Sequence, residues 1–300
     1  MKKVAVLGST GMLGMAVSRM SLDNHEIVEI NRGAGPVNSK NYHFQVKRNL
    51  TELEELLNTG EITYLINCIG LIRQKMDKLE RRSVENAIEA NVLIPLQLAN
   101  LSEKYELDVI QIGTDCVFSG RTGGYVEVDR HDPIDLYGKT KSLGEIPYPR
   151  LSIIRASIIG LEKDSHKSLL SWLLSQPINA QVNGFSDQLW NGITVLQFSK
   201  LVQGMINSGE KECFYGMHHF VPRNSLTKLE VLRSIRSAFE REDLKIEPSK
   251  SGNPLNMTLS TVKPVFNEFL WQTAGYKEVP SIEEMISEYS RSMRAQVQDE

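Results

Sequence analysis

Val4-Ala5-Val6-Leu7-Gly8-Ser9-Thr10-Gly11-Met12-Leu13-Gly14 is the stretch whose reading decides the fold. Four apolar residues predict a short buried strand, and the amphipathic residues 15–22 predict a helix. Between them lie glycines at 8, 11 and 14. Glycines let a chain turn tightly and approach a diphosphate, and a helix N-terminus offers free N–H groups and partial positive charge. Strand, glycine turn and helix start together make a phosphate cradle. The spacing is G-x-x-G-x-x-G, not the G-x-G-x-x-G of the simplest dinucleotide fingerprint. A glycine-rich turn can also simply close a loop, so the rest of the chain has to decide.

Working outward, His25–Asn31 alternates as a second strand. In a dinucleotide fold the end of this strand meets the adenine ribose, where NAD binding usually places a carboxylate. Here the chain has Asn31-Arg32, and a guanidinium suits a 2′-phosphate. The expectation is NADP(H), with NAD(H) as the alternative because Glu29 lies two residues back on the same strand face. The plain alternative for Arg32 is a solvated loop cation. Residues 42–46 predict a third strand, and Thr51–Leu57 a helix capped by Thr51. Residues 62–69 form a continuous apolar run, as a central parallel strand would, ending in Asn67-Cys68-Ile69-Gly70. Small residues there would let a cofactor pass, and Cys68 reads as a small buried residue rather than a reactive thiol.

Residues 78–105 are helical in pattern, kinked or divided at Pro95. A strand over 108–112 runs into Gly113-Thr114-Asp115-Cys116-Val117-Phe118, a polar loop spans 119–135, and another strand covers 151–157. Such alternation predicts an α/β fold with a doubly wound, Rossmann-type parallel sheet. Beyond it, Leu169–Leu174 and residues 195–206, 226–239 and 282–293 read as helices, separated by Pro- and Asn-rich loops such as 176–192 and 248–256. The expected division is an NAD(P)-binding domain over 1–160 and a smaller, mainly helical substrate region over 161–300, with 194–222 returning to the first domain.

Composition narrows the function classes. A formal net charge of -3 disfavours nucleic acid, whose phosphates demand a basic surface. The odd set Cys68, Cys116 and Cys213 lacks ligand-like spacing, so neither a disulfide framework nor a metal site is expected, and a reducing cytoplasm is the simplest compartment. The apolar run after Met1-Lys2-Lys3 breaks at Gly8, too early for a signal peptide. No apolar stretch approaches the roughly 20 residues of a membrane span, so no membrane partner is expected.

Chemistry enters at Tyr137-Gly138-Lys139-Thr140-Lys141. Tyr137 and Lys141, four apart, share one face of a helix. A free tyrosine, pKa about 10, is a poor acid–base catalyst at neutral pH, and a neighbouring ammonium favours its phenolate. The same ammonium would hold a nicotinamide ribose. A hydroxyl from a strand end, Thr114, would polarise a carbonyl together with the tyrosine, as hydride addition to a ketone requires.

Gly8 to Gly14, residues 67–70, Asn91, residues 114–118 and the Tyr137–Lys141 dyad together resemble the extended short-chain dehydrogenase/reductase family, in its nucleotide-sugar reductase branch of the dTDP-4-dehydrorhamnose type. The likeness continues more loosely through Ile154-Arg155-Ala156-Ser157-Ile158, Asp187-Gln188, Gly192-Ile193-Thr194 and His218-His219-Phe220-Val221. The resemblance implies Tyr137 as general acid, Lys141 as its partner and ribose ligand, and Thr114 as carbonyl-side donor. It implies a diphosphate held by Gly8, Thr10, Gly11, Met12 and Leu13, with Asn31 and Arg32 at the adenosine end. Cys68, Ile69 and Gly70 would line the cofactor path, with Asn91 and Ser157 beside it. Asp115, Cys116, Val117, Trp190 and Thr194 would face the substrate, a nucleotide-linked 4-keto-6-deoxy sugar, and a homodimer is compatible with the family.

Cys116 departs from the pattern. Reductases of this branch carry tyrosine there, and the related 4,6-dehydratases a glutamate needed for water elimination. A thiol replaces neither, which argues against dehydratase chemistry. The segment 191–194 lacks the family's proline, and Trp190 before it reads either as a stacking surface or as a packing anchor. Two other functions compete: a non-enzymatic NADP-binding subunit, such as the reductase-like one that accompanies methionine adenosyltransferase, and an epimerase that retains its NAD.

Overall fold

The computed structural model describes residues 2–31, 41–43, 50–72, 80–163 and 166–298. Arg32 lies outside the described residues, as do 44–46 of the expected third strand.

Seven strands form one parallel sheet: β1 (Lys2–Leu7), β2 (His25–Asn31), β3 (Asn41–His43), β4 (Ile62–Asn67), β5 (Asp108–Gly113), β6 (Leu151–Arg155) and β7 (Gly216–His219). Their order is β7-β6-β5-β4-β1-β2-β3. The side-chain period of two explains the apolar runs. Val4, Val6, Ile66, Ile110 and Ile154 enter one core, whereas Ala5, Leu7, Leu65, Val109 and Ile153 enter the other. Helices cover both faces. The first core includes residues of α1 (Met12–Ser18) and α7 (Val195–Ser208), and the second those of α2 (Thr51–Leu57) and α4 (Ile94–Lys104). The doubly wound parallel fold is thus as expected, with α7 and β7 from the far half of the chain completing it.

Strand order reverses at β1, which lies between β2 and β4. Connections leave in opposite directions there, so a crevice opens beyond the carboxyl ends of β1 and β4. Gly8 follows β1 with φ +78°, and its N–H donates to the Ile30 carbonyl of β2 at 2.8 Å. A Cβ at Gly14 would lie 2.1 Å from the Gly8 carbonyl oxygen, so α1 starts directly against the turn because residue 14 has no side chain.

Several local expectations are corrected. The first helix begins at Met12, not residue 15. Thr51 is inside α2; the cap position is Leu50, with no side-chain hydrogen bond. The long helical segment divides into α3 (Arg81–Ile88), a π turn over Glu89–Leu93, and α4. Pro95 lies in the first turn of α4. It has no N–H for the carbonyl of Asn91, and the helix widens just there. The expected helix over 226–239 is a two-residue strand, Leu226–Thr227, followed by α8 (Lys228–Ala238), whose Thr227 cap pairs with Glu230 in a capping box. Strands also occupy the supposed loops: Gln181–Phe185 pairs with Lys245–Ser249, and Gln188–Trp190 pairs with Leu226–Thr227 and Leu255–Asn256. The second half is mainly helical, as expected, with short strands between its helices. Its helices are α6 (Leu169–Leu174), α7, α8, α9 (Pro264–Thr273) and α10 (Ile282–Gln298).

Gly14→Ala is expected to lower the unfolding free energy by about 1–3 kcal/mol, through overpacking of α1 against the turn. Urea denaturation measures it, and an unchanged midpoint would show that the turn has slack.

Candidate active site

The crevice is a cavity of about 460 Å³. Gly11, Met12 and Leu13 line one part, and Cys68, Ile69 and Gly70 the wall after β4. The ends of β5 and β6 contribute Ile112 to Cys116 and Ala156 to Ile159, and α5 (Leu136–Gly144) contributes Tyr137 and Lys141. The remaining wall includes Gln188, Leu189, Trp190, Lys228, Leu255 and Met257 from the second half of the chain.

Helix α5 is placed by four attachments. Asp135 caps it, accepting from the Gly138 N–H at 2.8 Å. A Cβ at Gly138 would come 2.1 Å from the Cys116 carbonyl oxygen, so the Tyr137 turn packs on the β5 loop. Asn91 donates to Thr140 Oγ1 at 3.0 Å, while its amide pairs with the backbone of Leu71 beyond β4. At the far end the Gly144 carbonyl accepts from Gln111 Nε2 at 3.1 Å, and Gln111 accepts in turn from Asn67.

These attachments bring Thr114, Tyr137 and Lys141 to one wall. The Thr114 hydroxyl acts on the Tyr137 phenol, favouring its ionised form. Thr114 also accepts from the Cys116 N–H and donates to Asp115 Oδ1 at 3.2 Å. Lys141, 6% exposed, donates from Nζ to the Ile112 carbonyl at 2.9 Å. Burial pushes the Tyr137 pKa well above its ordinary value, with the Cys116 thiol adding to the effect. This reverses the expectation of an ammonium-lowered tyrosine: loss of water dominates, and the influence opposing it comes from Thr114. Burial lowers the Lys141 pKa, opposed by Glu145, Cys116 and Cys68. Burial also raises Asp115 against hydrogen bonds from Ser157, Thr114 and Cys116. The Cys68 thiol is pushed up to about 12, and Cys116 rises for the same reason, so both are protonated thiols.

Other expected residues fall outside the cavity wall. Asn31 lies at the β2 end and donates to Ser9 Oγ at 3.4 Å, bracing the glycine turn. Gly8 shapes the turn without lining the cavity, and Thr10 is exposed. Val117 is wholly buried with Phe118, Tyr125, Val221 and Leu259, a core residue rather than a substrate contact. Thr194 caps α7 and donates to Gln197, also away from the cavity. Trp190 is both anchor and wall: it belongs to the core cluster, and its ring lies over Gly192.

Sequence reasoning missed the group behind Thr114. Glu145 Oε1 accepts from the Thr114 N–H at 3.2 Å, and Oε2 accepts from Arg155 at 2.5 Å. Arg155, 1% exposed, also reaches His131 Nε2 at 2.8 Å and His219 Nε2 at 2.7 Å. A guanidinium only donates, so both Nε2 atoms accept and both imidazoles are neutral with the proton on Nδ1. His131 Nδ1 then donates to Ser142, and His219 Nδ1 to the Ser260 carbonyl at 2.6 Å. Burial and then Arg155 push the His219 pKa down to about 4. The available signal was Glu145, four residues beyond Lys141 and on the same helical stripe.

The family described as RmlD substrate binding domain matches residues 1–292. The chain belongs to that family. A probable low-salt glycan biosynthesis reductase of Haloferax volcanii is 34% identical over 143 residues, 47% of this chain and 46% of the relative. The chain thus spans about half the length of that relative. Methionine adenosyltransferase 2 subunit beta of Danio rerio is 24% identical over 249 residues, covering 79% of this chain and 74% of the relative. Among solved structures, dTDP-4-dehydrorhamnose reductase of Bacillus anthracis, in complex with NADP, superposes with a TM-score of 0.76 at 18% identity, covering 97% of this chain and 100% of that one. No helix among the described residues is long and apolar enough to cross a membrane.

Protonation of the neutral histidines predicts acid sensitivity. The folded-state His219 pKa is depressed from 6.5 to about 4. Its stabilisation is therefore complete above 6.5 and is lost as pH falls toward about 4, a change of about 3 kcal/mol. Urea midpoints across that window measure it, and His219→Gln is expected to flatten the slope.

Proposed function

We propose that the protein is an NADPH-dependent reductase of a nucleotide-linked 4-keto-6-deoxy sugar. The observation that carries the reading is the convergence of Thr114, Tyr137 and Lys141 on a cavity whose other end is the glycine turn. The turn suits a dinucleotide diphosphate: α1 has no side-chain cap, and a Cβ at Gly14 would fill the space where strand turn and helix meet. Gly11, Met12 and Leu13 would hold the diphosphate, Asn31 would stand at the adenosine end, and Lys141 would bind the nicotinamide ribose. The cofactor, when bound, supplies the hydride.

The chain's own groups do the rest. Tyr137 has a raised pKa and holds its proton at neutral pH, as a general acid for carbonyl reduction must. Its phenol would give that proton to the carbonyl oxygen as negative charge develops there. Thr114 would donate to the same oxygen by turning its hydroxyl from Asp115, and the Lys141 ammonium would stabilise the phenolate left behind. The NADP-complexed reductase of the same fold supports NADPH over NADH. Residues 1–160 would form the cofactor domain, 161–300 the substrate region, and 194–222 the segment returning to the first. Free Cys68, Cys116 and Cys213 support a reducing cytoplasm.

The second reading is a non-enzymatic NADP-binding subunit, favoured by the length of the match to the adenosyltransferase subunit. Mixing the protein with NADPH and dTDP-4-keto-6-deoxy sugars is expected to consume NADPH absorbance. Tyr137→Phe is expected to cut turnover about 10²–10⁴-fold while leaving NADPH affinity nearly unchanged. Absence of turnover in both forms, with NADPH bound by both, would favour the subunit.

A further inference from the structure

Tyr137, Lys141 and Glu145 form a stripe at successive four-residue steps, and only the first two have a part in the chemistry above. Glu145 follows the last residue of α5, and its side-chain carboxylate is completely buried. It reaches the end of β5 because residue 113 is glycine: a Cβ there would stand 2.7 Å from Glu145 Oε1. One oxygen accepts the Thr114 N–H, and the other accepts Arg155, the last residue of β6. His131 also faces this carboxylate, at 3.8 Å from Oε2. Phe118 covers the guanidinium, its ring centroid 5.1 Å away. A single carboxylate thus joins the end of the helix carrying Tyr137 and Lys141 to the strand end carrying Thr114. We propose that Glu145 is the positioning residue of this site, holding the Thr114 backbone to the end of α5, the helix that carries Tyr137 and Lys141.

The arrangement exceeds what simple packing needs. The Thr114 N–H is bonded to a carboxylate that is itself ion-paired with Arg155, which aims the hydroxyl-bearing residue at the cavity. Arg155, held by His219 and His131, keeps the Glu145 carboxylate in place without itself lining the cavity.

The catalytic consequence of this proposal rests on the reductase reading, but the positioning does not. Glu145→Asp retains a carboxylate on a shorter stem that cannot reach the Thr114 N–H in the same way. Amide hydrogen exchange followed by ¹H–¹⁵N NMR reads that N–H directly. Exchange at Thr114 is expected to quicken about tenfold or more in Glu145→Asp. With NADPH and the keto sugar, kcat is expected to fall about tenfold while the NADPH dissociation constant holds. Glu145→Gln keeps the stem and a neutral acceptor, so its Thr114 exchange is expected to rise less, and it carries the test through the same readouts should Glu145→Asp not fold. Unchanged Thr114 exchange overturns the positioning, and unchanged kcat beside quickened exchange overturns its part in turnover. Quickened exchange in a protein without turnover upholds the positioning and refutes the reductase reading instead.

Discussion

The central strands of the seven-stranded parallel sheet are buried on both faces and leave little room for polar chemistry inside the layers. Backbone N–H and C=O groups are consumed by the ladder, and most side chains above and below are apolar. Function is driven to the strand ends. The carboxyl ends of β1, β4, β5 and β6 supply the glycine turn, Cys68 to Gly70, Thr114 and Ser157, and all converge because the strand order reverses at β1. Everything in the site depends on that reversal.

The second constraint is charge in a place short of water. A buried charge is tolerable only when paired and hydrogen-bonded. Arg155 meets this with Glu145, two neutral imidazoles and the face of Phe118. Tyr137 and Lys141 feel the same dryness with opposite consequences: the phenol keeps its proton more firmly, and the ammonium releases its proton more readily. Desolvation therefore comes first in the electrostatics of both residues.

Much of the architecture was legible because parallel strands buried on both faces read as unbroken apolar runs. β1 and β4 were visible in that way, β2 by its alternation, and the turn after β1 declares itself by its glycines. The misread elements depend on partners remote in sequence. Gln181–Phe185 becomes a strand by pairing with Lys245–Ser249, more than sixty residues away. Val117 and Thr194 sit in family-like motifs, but packing turns the first into the core and the hydroxyl of the second into a helix cap. Pro95 was visible as a helix breaker, but the π turn over Glu89–Leu93 was not. That turn matters because it carries Asn91, whose amide joins the end of β4 to α5.

By itself the sequence determined the alternation of strands and helices in the first half of the chain, the glycine turn and the helical pairing of Tyr137 with Lys141, since each follows from local periodicity and the stereochemistry of neighbouring residues. Tertiary structure alone decided the protonation preferences of Tyr137 and Lys141 and the contacts of Glu145 with Thr114 and Arg155. A pKa is set by the water and charge that the fold removes or brings near, and the groups responsible here come from β5, β6, β7 and α5 together. Arg155 and His219 lie 64 residues apart in the chain, and their contact exists only because β6 and β7 are neighbours in the sheet.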